Sequence, residues 1–257
     1  MGIINTTPDS FYASSRKTNT DKALQEAAKM LKEGAGILDI GGQSTRPGSK
    51  QISAEEELQR VLPIIEAIHK TFPETFISID TYYSSVAKAA VNAGACIVND
   101  VSGGLHDEKM LNTVATLKVP YICMHMKGKQ TDMQVNPVYK NVTKEVLDFF
   151  IERTAACKTA GILDVIIDVG FGFGKTIAHN FQLLKELNVF KMLGKPILAG
   201  LSRKSTIYKT LGITADEALN GTTVLNTIAL LNGATILRVH DVKEAVEAVQ
   251  LIEAMKK

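Results

Sequence analysis

With 257 residues, 45% of them hydrophobic and 22% charged, the chain has room for one large domain or two small ones and the make-up of an ordinary globular protein. Its net charge of +2, with Lys and Arg alternating with Asp and Glu and no basic block, excludes a nucleic-acid-type polyanion as partner, so anion chemistry must sit in a local pocket. Cys96, Cys123 and Cys157 lack metal-ligand or redox spacing, no apolar run reaches the roughly 18 residues of a membrane span, and no secretory pattern opens the chain; the expectation is a soluble, cytoplasmic protein with no membrane partner.

The chain opens on a buried strand at residues 2–5, and a domain that begins on a core strand is expected to be a piece of a longer polypeptide. From there short β-rich runs alternate with segments of helical period. Strands are expected at 2–5, 37–41, 76–80, 96–101, 120–125, 165–169, 196–201 and 235–239. Helices are expected between and after them at 21–33, 54–70, 84–92, 108–116, 142–158, 178–187, 216–232 and 242–256. The strand runs are apolar without clean alternation, the pattern of a strand covered on both faces. Ser53 with Glu56, and Thr214 with Glu217, have capping-box spacing and mark two helix starts. Gly34, Gly94, Gly161, Gly194 and Gly233 each follow a helix and precede a strand, where a left-handed turn is needed.

Eight β-then-α units without an obvious linker predict an α/β fold, a single (β/α)8 TIM barrel over residues 1–257. The alternative, an open doubly wound sheet, lacks its usual dinucleotide signature. In Gly170-Phe171-Gly172-Phe173-Gly174-Lys175-Thr176, Lys175 takes the place of the third glycine of that motif, and Val169 stands where a P-loop needs its first.

In a barrel the C-terminal strand ends open onto one face and carry the chemistry. Those ends are polar here: Asn5, Asp80, Asn99-Asp100, Asp168, Ser202-Arg203-Lys204-Ser205 and Arg238-Val239-His240. A lone Asp at a strand end is as often a cap as a ligand. Six such ends on one rim point to a site. Carboxylate and amide groups can pair with the donor–acceptor edge of a flat heterocycle, and an ionised Asp168 would accept from an amino-pyrimidinone edge. Arg46, Arg238 and His240 offer donors for phosphate oxygens, as does the small-residue loop Gly41-Gly42-Gln43-Ser44-Thr45-Arg46-Pro47-Gly48.

Taken in order, Asn5-Thr6-Thr7-Pro8-Asp9-Ser10-Phe11, the loop 41–48, Ser78-Ile79-Asp80-Thr81, Val98-Asn99-Asp100, the run 168–175, Ser202-Arg203-Lys204-Ser205 and Arg238-Val239-His240 resemble the dihydropteroate synthase family across nearly the whole chain. The wording around Ile79-Asp80-Thr81-Tyr82 looks most like the eukaryotic multifunctional folate enzymes. The resemblance implies a transferase of folate synthesis that joins a pterin pyrophosphate to 4-aminobenzoate, with Asp80, Asp168, Lys204 and Arg46 carrying the catalysis. Asp80, Asn99, Asp168 and Lys204 would hold the pterin, and Arg238, His240 and Arg46 the pyrophosphate. Asn5 would contribute to a Mg2+ site. Phe11, Thr45, Pro47, Phe173, Arg203 and Ser205 would shape the 4-aminobenzoate pocket, where sulfonamides compete. It further implies a homodimer, a fusion to a pterin pyrophosphokinase domain in some members, and a mitochondrial location if the chain belongs to a longer eukaryotic precursor. The chain departs from the family at Tyr12-Ala13-Ser14-Ser15, usually Ser-Asp-Gly-Gly, and at Val169, usually proline. A pterin-binding methyltransferase, a non-catalytic pterin-binding domain and a phosphate-binding sugar isomerase are the alternatives on the same fold.

Overall fold

Eight parallel strands pair in chain order, each with the next, and β-to-β crossings are made by helices on the outside. The computed structural model describes residues 1–6, 16–43, 51–128 and 137–256. The strands are β1 (Gly2–Asn5), β2 (Ile37–Gly41), β3 (Phe76–Asp80), β4 (Ile97–Asp100), β5 (Tyr121–Met124), β6 (Val165–Asp168), β7 (Ile197–Ala199) and β8 (Ile236–Leu237). The helices are α1 (Arg16–Lys32), α2 (Ala54–Thr71), α3 (Ser84–Asn92), α4 (Met110–Leu117), α5 (Val142–Ala160), α6 (Ile177–Lys185), α7 (Ser205–Leu211), α8 (Leu219–Leu231) and α9 (Val242–Ala254), with a 3-10 turn at Leu187–Leu193. A parallel bridge between Gly2 and Val239 brings the last strand back to the first, with Ile3 N–H donating to the Val239 carbonyl at 3.0 Å. The sheet is therefore a closed barrel, as its sequence pattern predicts.

Alternation along each strand sorts the side chains into two populations. Leu38, Ile40, Ile77, Ile79, Val98, Tyr121, Ile167 and Ile197 face the helices and share one core with Ile65, Val86, Phe150 and Phe190. The inner face holds a smaller apolar cluster, Ile97, Ile122 and Leu198 packed with Ile37, Ile166 and Ile236. Above it the inward positions turn polar. The register sets Asn5 beside Gly41, Gly41 beside Asp80 and Asp80 beside Asn99, one row across four strands.

Local chemistry explains the element ends. Ser53 accepts from Glu56 N–H at 3.2 Å and caps α2 as its spacing predicts. Gly161 closes α5 with φ +94°, a conformation glycine adopts without a Cβ penalty. At Thr214 the outcome differs. The Glu217 carboxylate accepts from Thr214 N and Oγ1 at 2.9 and 2.8 Å, but this closes a separate turn, and the helix expected from 216 starts at Leu219. The sequence pattern predicts no helix at α7. Seven residues are too few to display a periodic stripe, and the turn forms because Thr206 and Ile207 are buried.

Candidate active site at the barrel mouth

The polar inner layer is tied together by Arg238, which follows β8. Its Nε donates to Asp39 Oδ2 and its Nη2 to Asp80 Oδ2, both at 2.6 Å, so one guanidinium bridges carboxylates from β2 and β3. Asn99, on β4, donates from Nδ2 to the same Asp39 oxygen at 3.1 Å. Burial pushes the Asp80 carboxyl up to about 7, against the pull of Arg238 and with a further push from Asp39, Asp100 and Asp168. The mouth thus carries a carboxylate that changes charge near neutrality.

Asp168, at the end of β6, accepts from Gly170 N–H at 2.8 Å through Oδ1. Burial raises its pKa, while the nearby Lys204 ammonium and the Gly170 N–H oppose that rise. Lys204 donates to the Phe171 carbonyl and sits 4.7 Å above the Phe173 ring. Burial lowers its ammonium to about 8, opposed by Asp168 and assisted by Arg238. Gly200 lies at the centre of this group. A Cβ there would lie 3.8 Å from Lys204 Nζ, 3.9 Å from Asp168 Oδ2 and 4.0 Å from Arg238 Cβ. Across the mouth, the Cβ position of Gly41 is 3.8 Å from Asp80 Oδ2 and 3.9 Å from Asn5 Oδ1. Six strands therefore bring Asn5, Asp80, Asn99, Asp168, Lys204 and Arg238 to one place.

The sequence pattern of the pterin binding enzyme family matches residues 1–240. The chain belongs to that family. A dihydropteroate synthase of Haemophilus influenzae is 45% identical over 256 residues, 99% of this chain and 92% of the relative. The folic acid synthesis protein of Schizosaccharomyces pombe is 42% identical over 266 residues, covering 100% of this chain and 36% of that protein. The solved structure of Xanthomonas albilineans dihydropteroate synthase with 4-aminobenzoic acid has a TM-score of 0.93 at 42% identity, covering 100% of this chain and 92% of that one.

In this pterin binding enzyme the remaining predicted residues are placed as follows. His240 lies on the rim with Nδ1 2.9 Å from Ser202 Oγ. Arg203 adopts a left-handed φ of +53° and braces the rim, pairing through Nε and Nη2 with Asp241 and through Nη1 with the Ala215 and Asp216 carbonyls. Ser205 begins α7 directly after Lys204. Phe11, Thr45, Arg46 and Pro47, and the atypical residues 12–15, lie outside the described residues. Asp100 belongs elsewhere: its carboxylate accepts from Ser102 N and Oγ, Gly104 N and the Tyr121 hydroxyl, stapling the β4 turn from the helix-facing side.

Three buried charged residues escape the sequence reading. Asp39 sits inside an apolar run, two positions before the strand end and on the same face as Gly41; that parity is the one signal that marks it as inward. Lys175 is caged by His125 Nδ1 at 2.9 Å and the Gly170 and Phe173 carbonyls at 2.9 and 3.0 Å, holding the β6 turn against the β5 loop. Burial and the Lys175 charge push the His125 ring down to about 2, so it stays neutral. Glu57 on α2 accepts from Thr81 Oγ1 at 3.0 Å, and burial pushes its carboxyl up to about 8.

Proposed function

We propose that the chain is a dihydropteroate synthase, joining 6-hydroxymethyl-7,8-dihydropterin pyrophosphate to 4-aminobenzoate with release of pyrophosphate. The observation that carries the assignment of residues is the gathering of Asp168, Lys204 and Arg238 around Gly200. Such a mouth offers a planar ring an acceptor on one edge and cations on the other. Ionised Asp168 accepts from the 2-amino edge of the pterin, and Lys204 donates to its carbonyl and ring-nitrogen side. Asn99 and Asp80 hold the opposite edge.

Cleavage of the exocyclic C–O bond leaves negative charge on the departing pyrophosphate and positive charge spread over the CH2 and ring. Fixed cations oppose the first and carboxylates beside the ring the second, without reorganisation at the moment of reaction. With Nε and Nη2 held by carboxylates, Arg238 meets the pyrophosphate through Nη1; His240 and Arg46 add donors to the same group. The neutral arylamine, held by Phe173 with Phe11, Thr45, Pro47, Arg203 and Ser205, then attacks the CH2 carbon and loses a proton. Sulfonamides occupy that second pocket. No nucleophilic side chain is required.

Asn5 offers one amide oxygen beside Asp80, whose carboxylate is engaged by Arg238. Among the described residues no group of three or more His, Cys, Asp or Glu could hold a metal. This donor set fits a Mg2+ that keeps its waters and takes its other ligands from phosphate oxygens. Bound there, the ion would supply positive charge to the leaving group.

The protein is further proposed to act in the cytoplasm as a homodimer. Fusion to a pterin pyrophosphokinase domain is proposed as well; the fission yeast relative, covered to 36%, extends well beyond the matched length, while the Haemophilus influenzae one is covered to 92%. No helix among the described residues is long and apolar enough to cross a membrane. The test is pyrophosphate release from the pterin substrate with and without 4-aminobenzoate, and with Mg2+ removed by a chelator. Release that depends on both is expected; binding of the pterin pyrophosphate without turnover would leave a pterin-binding domain instead of an enzyme.

A further inference from the structure

Asp39 lies mid-strand in β2, between Leu38 and Ile40 of the helix-facing core, and points into the barrel with no exposed surface. It cannot touch a substrate. Its Oδ2 nonetheless takes both Arg238 Nε and Asn99 Nδ2, so one atom fixes side chains delivered by β8 and β4. Its Oδ1, and the hydroxyl of its register neighbour Ser78, are buried without a partner among the described residues.

A carboxylate so buried is a poor device for stability alone. Its desolvation cancels much of the attraction to Arg238, and apolar side chains such as Ile97, Ile122 and Leu198 fill the barrel one layer below. Orientation is what the charge supplies. A guanidinium gripped at Nε by one carboxylate and at Nη2 by another has its plane fixed, and neither grip alone would do that.

We propose that Asp39 is a positioning residue that sets the guanidinium of Arg238 for the pyrophosphate-bearing substrate from beneath the pocket, with Asn99 held by the same oxygen. This rests on the synthase reading above. In Asp39→Asn the side chain keeps its shape and its amide oxygen can still accept from Asn99 and from Arg238 Nε, so the change removes only the charge of the grip on Arg238.

The experiment is steady-state kinetics of the full chain, with calorimetric binding of pterin pyrophosphate alongside. Asp39→Asn is expected to keep the far-UV spectrum, raise KM and Kd for pterin pyrophosphate at least tenfold, and leave KM for 4-aminobenzoate within twofold. In an Arg238→Met background the same substitution should add less than threefold, since the group it positions is gone. If Asp39→Asn does not fold alone, the double variant, which removes both buried charges together, carries the test against Arg238→Met. A folded Asp39→Asn with unchanged pterin pyrophosphate affinity, or a further tenfold loss in the double variant, would overturn the proposal. Absence of turnover in the parent with intact binding would sink the synthase reading and leave this one standing on affinity.

Discussion

Replacing Asp168 with asparagine exchanges one oxygen for nitrogen and removes one charge from the mouth of the barrel. The amide can still accept from Gly170 N–H, so the β6 turn is expected to survive and thermal stability to change little. Ligand binding should not survive intact. A hydrogen bond to a charged group contributes roughly 1.5–3 kcal/mol and a neutral one about 1, so the pterin edge loses on the order of 1–2 kcal/mol. Lys204 loses too: Asp168 is the main charge holding its ammonium up against burial, and without it the pKa falls below about 8. Partial deprotonation of Lys204 weakens binding in the same direction. The loss of about 1–2 kcal/mol at the pterin edge alone is a roughly 5- to 30-fold weaker Kd. Titration calorimetry with pterin pyrophosphate reads this directly, with KM for 4-aminobenzoate as the control. A Kd within threefold of the parent would refute the assigned pose.

Three further outcomes follow from the same geometry. Glu57 has a folded pKa of about 8 against 4.5 for the free group. Its contribution to stability is therefore complete below about 4.5 and lost as pH rises through 8. Glu57→Gln mimics the neutral acid, so its melting temperature should match the parent near pH 4 and exceed it by a margin that widens up to pH 8 to 9, where on the order of 4 kcal/mol, or about 8 °C or more, is at stake; a constant difference across that range would contradict the assignment. Gly170 has φ +68° and its would-be Cβ overlaps the His125 carbonyl oxygen, so Gly170→Ala should lose more than about 3 kcal/mol in denaturant unfolding. A loss below 1 kcal/mol would show that the β5 and β6 loops are not docked as described. Asp80 takes a proton as pH falls through about 7 and Lys204 loses one as pH rises through about 8. Affinity for pterin pyrophosphate should peak between those values, and a flat profile from pH 6 to 9 would exclude these two groups as ligands.

The barrel is readable in the sequence because each strand falls in an apolar run of four to six residues bounded by glycine or polar groups, and burial on both faces leaves that pattern by itself. The first three strands keep their expected bounds, while β4 to β8 come out shorter than their apolar runs, losing residues at one or both ends. Residues 235–239 are an extreme case, with only Ile236–Leu237 in ladder pairing. Asn5, Asp80, Asn99, Asp168 and Arg238 are legible because they break apolar runs at strand ends. Asp39 breaks a run in its middle, and its meaning depends on closure of the barrel, which brings Arg238 to it from 199 residues away. Lys175 is illegible for a similar reason. Its His125 partner comes from a loop about 50 residues earlier, and no local periodicity records that meeting. Arg203 is placed on the rim by its motif, but the sequence could not foresee that Asp241 and two carbonyls would hold its guanidinium.

The most direct test is a crystal structure of the protein with pterin pyrophosphate bound. The predicted result is a single pterin in the mouth, its 2-amino edge about 3 Å from Asp168, its carbonyl side facing Lys204 and its phosphates on the side of Arg238. A pterin bound away from Asp168, or turned so that its phosphates face Asp168 in place of Arg238, would contradict the account.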